Sequence, residues 1–233
     1  MTGSMVRLAA EGGKTFNAYL AVPTGPTAKA VVLLQEIFGV NANIRGIADE
    51  YAAKGYLAIA PDLFWRQRSD VQLDPGKAED RDTAMKLMGG LDQTLAVEDA
   101  LLAAAHVRSR PGFAGKVGAV GYCLGGKLAY LLATRSGIAA AVSYYGVGIQ
   151  GALDQASHLQ SRILLHVGVK DPLCPPEAQA AIKQALAPLG ERVKIMEYPE
   201  AGHAFARRGG STYDATAAQR ADEATYQFLA KEL

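Results

Sequence analysis

The sequence is poor in the features that mark secreted, membrane-spanning or nucleic-acid-binding proteins. Two cysteines in 233 residues, Cys123 and Cys174, cannot build a disulfide framework. Their spacing is neither C-x-x-C nor that of zinc ligands, so dithiol redox and metal sites have no support. A single bridge between them stays open on sequence alone, but it would consume Cys123 and need an oxidising compartment that nothing else indicates. No run approaches the ~20 apolar residues of a membrane span, and no basic stretch followed by an apolar core opens the chain. An excess of one charge is lacking too: 24 basic and 23 acidic side chains leave a net +1. That balance gives no electrostatic reason to expect nucleic acid or a membrane surface as partner. The expectation is a soluble, cytoplasmic protein, a monomer or weak homodimer, that recognises any charged ligand locally.

What is present is ordinary globular usage, 49% hydrophobic and 20% charged, at a length that one α/β domain fills. Residues 1–233 are therefore expected to form a single domain. Met5 to Val22 alternates around Glu11-Gly12-Gly13, which predicts a hairpin at a sheet edge. Val31 to Leu34 is a continuous apolar run, the mark of a strand buried on both faces. A helical pattern over 44–54 and a short strand at 57–60 complete a β-α-β unit, so a mostly parallel sheet is expected. The stretch 63–90 reads as an excursion near the strand ends, helical around 84–88. It is followed by a long helix over 91–107 with Leu95, Leu101, Leu102 and Ala105 among its apolar positions. Further strands are expected at 139–144, 163–169 and 193–198, with helices at 176–186 and 215–231.

Between these elements, residues 117–135 read as a buried strand, a turn and the first turns of a helix. The turn is Gly121-Tyr122-Cys123-Leu124-Gly125, a G-x-nucleophile-x-G pattern with cysteine where serine is usual. A turn that lifts one side chain clear of strand and helix leaves no room for β-carbons beside it, hence the glycines. A thiol there sits at a helix N-terminus, whose dipole and free N–H groups favour the thiolate. A buried structural cysteine in an ordinary turn is the competing reading.

A nucleophile needs a base, and the base a partner that fixes its orientation. Of four histidines, His106 falls in the long helix, His158 in a polar loop and His166 in a strand, each better read as a core or surface residue. His203 lies between the last strand and the last helix, on a loop at a strand end, where catalytic groups concentrate. Asp171 also follows directly on an apolar strand, although Asp171-Pro172 is a turn signal in its own right. The order Cys123, Asp171, His203 is the nucleophile-acid-histidine order of α/β-hydrolases. An oxyanion would be held by the N–H of Leu124 and one from the loop after an early strand, for which Ile37 is the natural candidate. Its neighbour Glu36 is a carboxylate closing an apolar strand, and is either solvated there or has a partner or a task.

Five blocks carry a wider resemblance: residues 35–41 (QEIFGVN), 61–63 (PDL), 121–126 (GYCLGG), 144–146 (YYG) and 201–207 (AGHAFAR). In that order, over nearly the whole chain, they resemble the dienelactone hydrolase family. The resemblance implies an α/β-hydrolase fold with a mostly parallel sheet, an antiparallel edge hairpin and helices on both faces. It also implies a Cys123-His203-Asp171 triad and cofactor-free hydrolysis of the enol-lactone ring of dienelactone to maleylacetate, in chlorocatechol breakdown. Glu36 matches the family glutamate that holds the resting thiol and helps generate the thiolate, and Arg81 and Arg207 match the arginines that bind the substrate carboxylate. Where the family has aromatic pocket residues on the excursion helix this chain has Met85 and Met88, which would reshape the pocket. Phe38, Tyr144 and Tyr145 are either pocket walls or packing aromatics. The substrate expected is a small carboxylated lactone or ester; a broader carboxylesterase or thioesterase, a thiol-based redox or sensor protein and a silent binding protein are the alternatives.

Overall fold

The computed structural model describes residues 3–135 and 137–233. Strands β1 (Ser4–Ala9) and β2 (Thr15–Ala21) form the antiparallel hairpin, turning through a 3-10 segment at Glu11–Gly13. Strands β3 (Lys29–Leu34), β4 (Leu57–Pro61), β5 (Lys116–Tyr122), β6 (Ala140–Tyr144), β7 (Arg162–Gly168) and β8 (Val193–Tyr198) are mutually parallel. The sheet order is β1-β2-β4-β3-β5-β6-β7-β8, with β2 antiparallel to β4. The helices are α1 (Ala42–Ala53), α2 (Ala78–Gly89), α3 (Gln93–Arg108), α4 (Leu124–Ala133), α5 (Pro176–Leu186) and α6 (Ala215–Glu232). This is the α/β-hydrolase fold. No helix among the described residues is long and apolar enough to cross a membrane.

The apolar run in β3 shows how sequence becomes layers. Val31 and Leu33 point into a core shared with Ile44, Ala48, Ala217 and Leu229 of α1 and α6. Val32 and Leu34 point to the opposite core, shared with α3, α4 and α5. Period-two alternation thus divides one hydrophobic stretch between two layers, and a strand buried on both faces has to be apolar throughout. From β3 the chain crosses to β4 on one side, then returns to β5 on the other. The crevice at the carboxyl ends of β3 and β5 is therefore the topological switch point, where open α/β sheets place their ligands.

One expected helix face is different. Leu95 and Leu102 of α3 are exposed, as is Ala105, and Leu101 is half-buried; Ala96, Val97, Ala100, Ala103, Ala104 and Val107 make the buried face. Small side chains let this helix lie close to the sheet and α4, which bulk at those positions would prevent. The same face buries Asp99, which accepts from Trp65 Nε1 at 2.9 Å and pairs with the Arg66 guanidinium.

His166 is the satisfied core histidine that its place in β7 suggests. Its Nδ1 meets Tyr198 Oη and its Nε2 meets Thr225 Oγ1, both at 2.8 Å, and burial lowers its pKa to about 3, with the Lys194 charge adding to the effect. The unfolded ring takes a proton below about pH 6.5 while the folded ring refuses one. The contribution of His166 to stability is thus whole above that pH and lost as pH falls toward 3, at about 1.4 kcal/mol per pH unit. Asp62, raised to about 6 by burial, titrates with the opposite sign over part of this range, because its native form binds the proton more tightly. The expected result is that nitrogen-15 NMR shows the His166 ring neutral from pH 7 to 4.5; titration of that ring near pH 6 would contradict it.

Candidate active site

The turn after β5 is built by close approach. A β-carbon on Gly121 would lie 1.8 Å from the Gly125 carbonyl oxygen, and one on Gly125 would lie 2.1 Å from that of Leu34. Neither glycine has positive φ; Cys123 itself does, at φ 56 and ψ −113. A non-glycine residue in that region is strained by roughly 1–3 kcal/mol. The turn is held from both sides, since Cys123 N–H donates to Tyr144 O at 3.0 Å and Val147 N–H to Cys123 O at 3.2 Å. Gly125 N–H also donates to Gln35 O at 3.0 Å, which fixes the loop after β3 against the turn after β5. The N–H groups of Glu36, Ile37 and Phe38 in the first loop have no protein acceptor among the described residues, and the Leu124 N–H in the second acts on the Cys123 thiol rather than on a backbone carbonyl.

Asp171 and His203 stand on neighbouring loops after β7 and β8. Lys170 N–H donates to Ala201 O at 3.0 Å, linking the two loops, and His203 Nδ1 meets Asp171 Oδ2 at 2.8 Å. The other carboxylate oxygen accepts Leu173 N–H at 2.8 Å. The sequence reading missed the residue that pins this loop: Gln179 Nε2 donates to the carbonyls of Val169 and Cys174 at 3.2 and 2.7 Å. The available signal was a polar side chain on the otherwise buried face of α5. Asn41 is a second such residue, capping α1 with its side-chain oxygen and donating its amide to Leu73 O on the excursion.

Cys123 is 5% exposed and is a free thiol, as is Cys174. Burial, reinforced by Glu36, pushes the Cys123 thiol up to about 12. The Leu124 N–H and the Arg207 charge work in the opposite direction but do not prevail. The thiolate expected from the helix N-terminus is thus overruled by desolvation in the resting protein. No hydrogen bond joins Sγ to His203 or to Glu36. Glu36 is instead 1% exposed and clasped by Arg207, whose Nε and a terminal nitrogen donate to its two oxygens at 2.8 and 2.9 Å. Burial works against the Arg207 charge, yet Glu36 outweighs it and raises the guanidinium pKa.

A cleft of about 790 Å³ opens beside this pair and is lined by Arg45, Arg81, Arg207 and Arg208 among others, though not by Cys123 or His203. Arg208 is occupied by Glu50 and lies 3.7 Å from Asp222, whereas Arg81 donates to the Pro75 carbonyl and pairs with no carboxylate among the described residues. Phe38 lies beneath Arg207, its ring centroid 5.2 Å from the guanidinium carbon. Tyr145, at φ 40, packs edge-on to His203 at 5.3 Å. Neither Phe38 nor Tyr145 lines the cleft, and neither do Tyr144, Met85 and Met88. Tyr144 is a fully buried core residue whose hydroxyl bonds to Asp222 and Thr225. Met85 is exposed because α2 buries Ala84 and Leu87, and Met88 packs beside them against the core.

The sequence profile described as the dienelactone hydrolase family matches residues 16–233. The chain belongs to this family. A carboxymethylenebutenolidase from Pseudomonas putida is 38% identical over 218 residues, covering 94% of this chain and 92% of its own. Carboxymethylenebutenolidase 1 of Cupriavidus pinatubonensis is 33% identical over 230 residues, with coverage of 99% and 97%. A solved structure from Klebsiella pneumoniae, described as a candidate dienelactone hydrolase, matches with a TM-score of 0.84 at 28% identity over 99% of both chains. This member of the dienelactone hydrolase family is a hydrolase, with a small molecule as its substrate.

Proposed function

We propose that the protein, acting as one domain and without a cofactor, opens an enol-lactone of the dienelactone type through Cys123. The observation that carries the proposal is the ion pair of Arg207 with a buried Glu36 next to a buried neutral thiol. A substrate carboxylate entering the arginine-lined cleft competes with Glu36 for the Arg207 guanidinium, with Arg81 as a second cation. Glu36 loses its cation and becomes a stronger base, so the thiol proton passes to His203, directly or by way of Glu36. Sulfur then adds to the lactone carbonyl, and the oxyanion accepts from the N–H groups of Ile37 and Leu124. Collapse breaks the ring C–O bond, and protonated His203 supplies the proton to the departing enolate. Water, deprotonated by His203 with Asp171 fixing the ring, cleaves the thioester and returns the thiol. An enolate is a good enough leaving group that its expulsion competes with loss of thiolate.

Coupling base release to a substrate carboxylate distinguishes this reading from a general carboxylesterase. Replacing Arg81 with Ala is expected to lower kcat/KM for cis- and trans-dienelactone by about 10²-fold, the scale of a lost charged hydrogen-bonding partner. Neutral aryl esters should be affected less than twofold. Equal losses on both substrate classes, measured side by side, would favour the broader esterase.

A further inference from the structure

We propose that Ser143 and a water bound beside it position the carboxylate of Asp171, making Ser143 a positioning residue for the His203 ring; the proposal rests on the triad reading given above. Ser143 lies in β6, 1% exposed, and its hydroxyl has no hydrogen-bond partner among the described residues. Such a buried hydroxyl is disfavoured unless something satisfies it. The room around it is kept by glycines, since a β-carbon on Gly126 or Gly146 would lie 2.9 or 2.6 Å from Ser143 Oγ.

Ser143 also lines a small cavity of about 10 Å³ together with Asp171, Cys174 and Gly168. That is the space of one water molecule, and the wall supplies the two or more polar partners that a buried water requires. Asp171 already accepts Leu173 N–H on Oδ1 and His203 on Oδ2. Each carboxylate oxygen has a further lone-pair direction, so a water in the cavity can donate to Asp171 while it engages Ser143 Oγ. Cys174, raised to about 11 by burial and by Asp171, stays a neutral thiol and adds no competing charge. The consequence is a third hydrogen bond on the acid, fixing the plane that aims His203.

The test combines a crystal structure of the protein to about 1.5 Å with the Ser143→Ala variant and with Cys174→Leu, which fills the cavity and leaves Ser143 in place. The expected results are an ordered water within hydrogen-bond distance of Ser143 Oγ and Asp171 in the parent, and a kcat about 5- to 20-fold lower in both variants with KM within twofold. Ser143→Ala should also leave Tm unchanged or lower it. A cavity without that water, a Tm raised by Ser143→Ala, or an unchanged kcat in both variants would each overturn the proposal. Full activity of Asp171→Asn would instead overturn the triad reading, and the parent crystal structure separates the two failures.

Discussion

Replacing Cys123 with Ala is expected to lower kcat/KM on dienelactone by at least about 10⁴-fold, the scale on which loss of a nucleophile abolishes covalent catalysis. Intact-protein mass spectrometry with an activated ester should show one acyl group on the parent and none on the variant. Retention of lactonase activity by the variant would remove the central mechanistic claim. The resting site adds a second expectation to the same experiment. With the thiol held up to about 12, the unliganded protein carries a thiolate in only about one molecule in 10⁴ to 10⁵ near neutral pH. Alkylation of Cys123 by iodoacetamide at pH 7.5 should therefore be slow, and faster when a carboxylate ligand that does not itself react engages Arg207. A free-enzyme alkylation rate like that of an activated thiolate would refute the sequence of proton transfers proposed here.

The sheet was legible because buried parallel strands must be apolar on both faces, and Val31 to Leu34 shows that requirement directly. The chain order of Cys123, Asp171 and His203 was legible because each follows an apolar strand, and the structure sets the last two 2.8 Å apart. What escaped the sequence depends on contacts between distant residues. Glu36 and Arg207 are 171 positions apart, and nothing local to either reveals that their charges meet. The helix N-terminus at Cys123 argued for a thiolate, but the size of the desolvation opposing it is fixed by the whole surrounding fold. Tyr144 and Tyr145, left open as pocket walls or packing aromatics, show a further dependence on the fold. Adjacent strand residues face opposite sides, yet the positive φ of Tyr145 turns the chain so that both rings join the same core, and only Tyr145 packs on His203.

Removing Arg207 is expected to damage stability and activity together, and the two effects can be separated. Arg207→Ala leaves the Glu36 carboxylate, 1% exposed, without the two charge-assisted hydrogen bonds that now satisfy it. Stranding one member of a buried ion pair costs about 3–5 kcal/mol. In a chain of 233 residues that corresponds to a Tm lower by about 6–20 °C, measured by calorimetry at pH 7. Arg207→Lys should recover part of this loss, because an ammonium restores the charge but not the two-pronged geometry. The double variant Glu36→Met with Arg207→Met should return Tm to within a few degrees of the parent, since packed apolar side chains often replace a buried ion pair without loss. It should still turn over carboxylated lactones at least about 10³-fold more slowly, having neither the cation that takes the substrate carboxylate nor the base that this binding releases. An Arg207→Ala protein as stable as the parent would show that Glu36 has another partner. A fully active double variant would show that the pair is structural, and that substrate binding and thiol deprotonation are not coupled through it.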